Sequence, residues 1–391
     1  MSGAANRWRR HNGSPFAWGA ACARPLAVSR LGLYRPVMLS GTSTADTSQD
    51  PPGLDLTRLA GWLATLPDDT VLPGKTATGP LTAALLAGGK SNLTYAVSDG
   101  ERSWVLRRPP LGHVLATAHD MAREYRVMSA LQGTGVPVPA TYALCQDAEV
   151  IGAPFYLMEL VEGTAYRWAS QLEPLGPERT RKISEELIDI LAALHAVDPA
   201  DVGLADFGRP HGFLARQVSR WRKQLDASYC RDLPAATELH ALLAARVPEQ
   251  TPDGIVHGDY RLDNVLTADD DQLVAVLDWE MATLGDPLTD LALMSVYQRF
   301  AEIMGGSIAD ASSAPGFLST QEVISRYAAA SHRDLAHFGF YLGLAAFKLA
   351  VITEGIYYRH LHGQTVGAGF DTVGTVTEPM LAAGIEFVLE G

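Results

Sequence analysis

At 391 residues, 47% of them hydrophobic, the chain has the length for one two-lobed enzyme or two modest domains and the apolar content for a core. Its three cysteines, Cys22, Cys145 and Cys230, exclude a disulfide framework, and no C-x-x-C or His/Cys spacing suggests zinc. A formal charge of −13 argues against a nucleic-acid partner, and no uninterrupted apolar run is long enough to span a membrane.

Residues 1–45 carry Arg7, Arg9, Arg10, Arg24, Arg30 and Arg35, with no acidic residue before Asp46. Such a composition fits a mitochondrial transit peptide, or an upstream start codon with Met38 as the real initiator. The arginine bias of the whole chain favours the second. The location expected is cytoplasmic, and mitochondrial only if residues 1–45 are a genuine transit peptide. Thr44 to Gly53 reads as a polar, proline-bearing linker.

The stretch Leu86-Ala87-Gly88-Gly89-Lys90-Ser91-Asn92-Leu93-Thr94-Tyr95-Ala96-Val97 predicts a small-residue turn entering a strand. Small residues permit close approach, and successive backbone N–H groups favour an anion. Gly89-Lys90-Ser91 mimics the tail of a Walker A loop, but the earlier glycine of that motif would fall at Ala84, so a P-loop is rejected. Ser103 to Pro110 is a short strand stopped by prolines, and strand alternation sends Arg107 and Arg108 to opposite faces. Met121 to Met128 has helical apolar spacing, and Phe155 to Gly163 reads as a buried strand running into a linker.

Helical signals follow. Pro177 to Val197 carries an apolar stripe closed by His195, read as a core or capping histidine. Asp206-Phe207-Gly208 reads as an ordinary turn. Residues 211–229 form a basic helix with Arg216, Arg220, Arg222 and Lys223, either a solvated face or a docking site for an anionic acceptor.

The most informative string is Ile255-Val256-His257-Gly258-Asp259-Tyr260-Arg261-Leu262-Asp263-Asn264-Val265-Leu266, followed by Leu277-Asp278-Trp279-Glu280. The spacing matches the kinase pattern H-x-D-x-x-x-x-N with a later acidic residue. Phosphoryl transfer asks the protein for positioning and charge neutralisation, and Mg²⁺ prefers oxygen ligands. Asp259 thus reads as the catalytic residue engaging an acceptor hydroxyl, and Asn264 with Asp278 as the metal ligands. His257 reads as a packed histidine bracing the loop; Asp263 and Asp269-Asp270-Asp271 read as solvated turn residues.

H-G-D, D-W-E and Gly285-Asp286-Pro287-Leu288-Thr289-Asp290-Leu291-Ala292 together resemble the aminoglycoside phosphotransferase and choline kinase family. That resemblance covers roughly residues 80–360. It implies an α+β, bilobed protein-kinase-like fold with a small antiparallel-sheet N-lobe and a larger, mainly helical C-lobe. The expected divisions are 1–53 as a tail, 54–160 as the nucleotide-binding N-lobe and 161–391 as the C-lobe. ATP and Mg²⁺ are the implied cofactors. Gly88, Gly89, Ser91 and Asn92 would lie over the phosphates, with Arg107 in place of the protein-kinase lysine and Glu124 fixing it. Glu159 and Val161 would meet adenine through main-chain atoms.

Within the family, Leu106-Arg107-Arg108-Pro109-Pro110, the segment Gly203 to Gly208 with Arg216-Gln217 and Trp221, and Glu354-Gly355-Ile356-Tyr357-Tyr358-Arg359 are similar to kinase-like domains fused to acyl-CoA dehydrogenases. The acceptor so implied is a small hydroxylated molecule, a hydroxyacyl-CoA. An aminoglycoside-type antibiotic kinase and a nucleotide-binding pseudokinase are the alternatives. No nucleic-acid or membrane partner is expected.

Overall fold

The computed structural model describes residues 50–67, 79–86, 92–112, 119–249, 251–304, 309–365 and 369–391. The N-terminal segment 1–45 and the predicted phosphate-loop residues Gly88, Gly89 and Ser91 lie outside the described residues.

The first half is built on alternation. Strands β1 (Thr82–Leu85), β2 (Leu93–Ser98), β3 (Ser103–Arg108), β4 (Thr141–Cys145) and β5 (Phe155–Glu159) form one antiparallel sheet in the order β1-β2-β3-β5-β4. Period-2 geometry divides each strand between two faces. Trp104 and Leu106 of β3 join Tyr95, Phe155 and Leu157 on one face, packed with Leu59 and Leu63 of helix α1 (Leu56–Leu63). Val105, Tyr156 and Met158 point the other way, toward helix α2 (Met121–Leu131) and the core of the second half. Asp55 and Asp120 start the two helices, each carboxylate accepting the backbone N–H three residues on, from Arg58 (2.8 Å) and Arg123 (3.1 Å).

The second half is mainly helical: α3 (Ala169–Leu172), α4 (Pro177–Ala196), α5 (Phe213–Ala227) and α6 (Pro234–Ala245) precede the loops, and α7 (Leu288–Met304), α8 (Thr320–Ser331), α9 (Phe338–Leu361) and α10 (Thr377–Glu390) follow them. Between the two groups lie two small antiparallel ribbons. One pairs β6 (Gly254–Val256) with β9 (Thr283–Gly285), the other β7 (Val265–Thr267) with β8 (Leu273–Val276). These ribbons position the site, because the loop 257–264 leaves β6 and enters β7.

Helix α9 is longer than the apolar run Tyr341 to Ile352. By length and composition it could cross a bilayer, yet 72% of its most apolar window is buried inside the protein. Gly343 lets α10 approach: an added Cβ there would meet Val388 Cγ2 at 2.2 Å. Two other expectations are corrected. Asp263 is not solvated, since its side chain is only 12% exposed and pairs with Arg261 at 2.7 Å. Asp271 is likewise buried and pairs with Arg179 at 2.6 Å, because the turn folds back onto α4.

Candidate active site

The loop 257–264 is held from beneath by Asp290, the second aspartate of the G-D-P-L-T-D run, now in the first turn of α7. Its carboxylate accepts the backbone N–H groups of His257 (2.6 Å) and Gly258 (2.8 Å). Asp290 is fully buried. Desolvation pushes its carboxyl up, but hydrogen bonds from His195 and the loop amides win and hold it below the ordinary range. His195 is the core histidine expected: Nδ1 lies 2.7 Å from the Tyr327 hydroxyl and Nε2 3.3 Å from Asp290. Burial lowers its pKa against the pull of Asp290, disfavouring the charged ring. Asp286 ties down the other end, accepting from Thr251 N–H (3.0 Å) and the Tyr341 hydroxyl (2.8 Å).

His257 is wholly buried and braces the loop. Its Nε2 lies 2.9 Å from Leu277 O, its Nδ1 accepts the Asp259 N–H at 3.2 Å, and its ring packs on Trp279 at 4.6 Å. Since Leu277 precedes Asp278, this one imidazole registers the Asp259 loop against the Asp278 segment. A second tie is main-chain: Leu277 N–H donates to Asn264 O at 2.8 Å.

Asp259 is surrounded by donors. The Tyr297 hydroxyl donates to Oδ1 at 2.9 Å, and the Asn264 amide donates to Oδ2 at 3.1 Å and to the Asp259 carbonyl at 2.8 Å. Arg261 Nε stands 3.8 Å from Oδ2, with the guanidinium 4.7 Å over the Tyr297 ring. Asn264 therefore spends its NH₂ on Asp259, which leaves its carbonyl oxygen for a hard cation. With the Asp278 carboxylate this makes an all-oxygen donor pair suited to Mg²⁺. Asp278 adopts the left-handed conformation (φ 65°), which turns its carboxylate back toward the sheet lobe.

Arg107 crosses from β3 to meet it. Its Nε lies 2.9 Å from Glu124 and its NH2 2.8 Å from Asp278, with Glu280 at 3.9 Å. Arg108 points to the opposite face and donates to the carbonyls of Gly53 and Ile151. The expected pair of Arg107 and Glu124 is thus present, and the planar fork lets one arginine hold two acids at once. Glu124 is buried and also accepts from Tyr156 Oη (3.0 Å) and Asn92 Nδ2 (3.0 Å). Desolvation pushes it up to about 7, against the pull of Arg107 and the Tyr156 hydrogen bond. Asn92 donates as well to Glu280 at 3.2 Å, and its buried Oδ1 has no hydrogen-bond partner among the described residues.

At the end of β5, Glu159 is exposed; its N–H donates to Ala140 O (2.8 Å) and its carboxylate accepts the Ala140 N–H (3.1 Å). Val161 is half-exposed in the linker, which a bridge between Thr164 and Thr267 straps to β7. Asp206-Phe207-Gly208 stands apart as a turn, with Arg123 3.8 Å over the Phe207 ring. The sequence reading assigned no role to Tyr297, Glu280 or Lys348. Asp290 and Tyr297 lie seven residues apart on α7 and so share a helix face, a signal available for Tyr297. Lys348 was visible only as the cation interrupting the apolar run Tyr341 to Ile352.

The profile of the phosphotransferase enzyme family matches residues 82–322. Acyl-CoA dehydrogenase family member 10 of Mus musculus is 35% identical over 322 residues, 81% of this chain and 30% of that protein. Acyl-CoA dehydrogenase family member 11 of Gallus gallus is 35% identical over 316 residues, 79% of this chain and 40% of that one. The chain thus spans well under half the length of these relatives. A solved structure from Ralstonia eutropha, assigned provisionally as an aminoglycoside phosphotransferase, is 32% identical with a TM-score of 0.74, covering 86% of this chain and 98% of its own. Aminoglycoside phosphotransferase APH(4)-Ia, solved with ADP and hygromycin B, shares the fold at 16% identity and a TM-score of 0.53, covering 78% and 93% of the two chains. The chain belongs to the phosphotransferase enzyme family and has an α+β, protein-kinase-like fold.

Proposed function

We propose that this protein is a Mg-ATP-dependent kinase of hydroxyacyl-CoA esters. The observation that carries the phosphotransfer half is the convergence of two pairs, Asn264 on Asp259 (2.8 and 3.1 Å) and Arg107 on Asp278 (2.8 Å), whose segments are tied by Leu277 N–H to Asn264 O at 2.8 Å. Mg-ATP supplies the phosphoryl group and the divalent charge that offsets its oxygens. Asn264 and Asp278 would hold the metal through oxygen. Asp259 orients the acceptor hydroxyl and takes its proton as the new O–P bond forms. A carboxylate suffices for this, because a loose transition state calls for the base late in the reaction. Arg107, held by Glu124, presents fixed positive charge to the phosphates.

The acyl-CoA half is supported by the names of the relatives, whose remaining lengths exceed what this chain spans. The Ralstonia likeness favours a second reading, an aminoglycoside acceptor. A plate of hydroxyacyl-CoAs, aminoglycosides and simple alcohols, read by ADP release with Mg-ATP, separates them. Turnover with a hydroxyacyl-CoA is the expected result. Turnover with an aminoglycoside alone would replace the acceptor assignment, and Mg-independent turnover would remove the metal from it.

A further inference from the structure

A cavity of about 80 Å³ lies between α5 and α9, directly behind the Asp259 loop. Gln217, Arg220 and Trp221 of α5, Gly258 and Met281 of the loops, and Lys348 of α9 all line it. Two of these residues are cations, and the buried Asp290 also lines the cavity; Lys348 Nζ stands 5.7 Å over the Trp221 ring. Lys348 donates one hydrogen bond, to Gly258 O at 2.9 Å, whereas an ammonium carries three donors. No carboxylate among the described residues lies within ion-pair distance of it. Burial pushes its pKa down while Asp259 and Asp290 pull it up.

Arg220, exposed at the rim with its guanidinium 5.5 Å from the Trp221 ring, has no ion-pair partner among the described residues either. Its neighbours on α5 are differently employed. Arg222 pairs with Asp226 at 3.0 Å, and Arg216 donates to the carbonyls of His211 and Arg209. A partly buried cation without a counter-ion costs free energy that a ligand oxygen would recover. Lys348 is the partly buried one of the two, and Arg220 adds positive charge at the exposed rim.

We propose that this cavity is the acceptor's oxygen-anchoring subsite, in which Lys348 and Arg220 bind the carboxylate or thioester carbonyl of a hydroxy acid derivative. The subsite rests on the kinase reading above and names what the acceptor must carry besides its hydroxyl. At about 10–15 Å³ of such space per water, the cavity holds several waters, room for a carbonyl head with its first carbons. Lys348 is bonded to the residue immediately before Asp259, so anchoring the acyl head there sets the reach of the hydroxyl toward that carboxylate. The two cations repel a polycationic aminoglycoside.

Binding to the full chain, measured by calorimetry without nucleotide, tests this independently of turnover. The probes are a hydroxy acid, its CoA thioester and the diol of equal chain length in which the carbonyl is reduced. The wild-type protein should bind the acid or the thioester at least tenfold more tightly than the diol, and the preferred member of that pair identifies the acceptor's form. Lys348→Met should abolish the preference. Arg220→Gln, an exposed change that keeps the fold testable should Lys348→Met not fold, should reduce it threefold or more. Equal binding of acid and diol, binding of none of the three, or a preference that survives both substitutions would overturn the subsite. Retained preference with no phosphorylated product would instead defeat the kinase reading and leave the subsite standing.

Discussion

Asp259 receives two hydrogen bonds of different origin, from the Tyr297 hydroxyl at 2.9 Å and the Asn264 amide at 3.1 Å, so both carboxylate oxygens are oriented before an acceptor arrives. Removing the carboxylate should cost turnover about 10²–10⁴-fold, the usual weight of a positioned general base, with nucleotide affinity largely intact. Asp278→Ala should weaken Mg-ATP binding itself. Titrating ATP into both variants distinguishes the roles, and equal loss of binding in the two would dissolve the assignment. Glu124 makes a separate prediction in pH. Its folded-state value of about 7 lies above the ordinary 4.5, so between those values the native state keeps a proton that the unfolded chain releases. Its contribution to stability is present below the ordinary value and is lost as pH rises through about 7. Melting curves from pH 5 to 8 should show this decline, and Glu124→Gln should flatten it; matching slopes would exclude Glu124 as the titrating group.

At the scale of elements, the loop between β6 and β7 needs a glycine where protein kinases carry arginine. Gly258 sits at φ 88°, and a Cβ there would lie 2.8 Å from both the Cβ and the carbonyl oxygen of Met281. Both constraints oppose a side chain. Gly258→Ala should therefore displace the loop, destabilise the fold by about 1–3 kcal/mol and lower kcat more than the KM for ATP. Unfolding midpoints and initial rates on one preparation check this, and a wild-type kcat would show that the loop tolerates the shift. The run Asp286 to Asp290 belongs to the same element-level design: its two aspartates accept hydrogen bonds on both sides of β6, which fixes where that strand delivers the loop.

Across the whole molecule, Arg107 ties the sheet half to the loops of the helical half, alongside Asn92 to Glu280 and Arg123 to Ala282 O. Its side chain is 12% exposed and that of Glu124 2%, so in Arg107→Ala the buried Glu124 loses its partner and is pushed further up, toward the protonated form. The expected cost is about 1–3 kcal/mol for the lost hydrogen bonds, accompanied by a raised KM for ATP. Asp278, at 35% exposed, contributes less to that cost. Mg-ATP should raise the wild-type melting midpoint, because binding the folded state alone stabilises it by mass action. The same ligand should give Arg107→Ala a smaller rise; an equal rise, or full activity in the variant, would sever Arg107 from the nucleotide.

Local spacing determined much of this protein. The order H-G-D, Asn264, D-W-E, the alternation that divides Arg107 from Arg108, and the apolar stripe of α4 are all short-range patterns, because each depends on neighbours a few residues away. Lys348 reaches Gly258 across ninety positions, Asn92 reaches Glu280 across 188, and the Tyr297 hydroxyl reaches Asp259 across 38. Such contacts follow from how α7 and α9 pack beneath the ribbons and how the sheet half meets the 278–280 segment, and no local pattern encodes that packing. Asp263 and Asp271 illustrate the same limit in reverse. Their sequence setting is that of solvated turns; Asp263 pairs with Arg261 two residues away, and only the approach of α4 made Asp271 a buried partner of Arg179. The chemistry was legible because catalysis needs particular residue types at fixed spacing, whereas the cavity behind Asp259 was decided by the tertiary structure, since its walls come from helices more than a hundred residues apart in the chain.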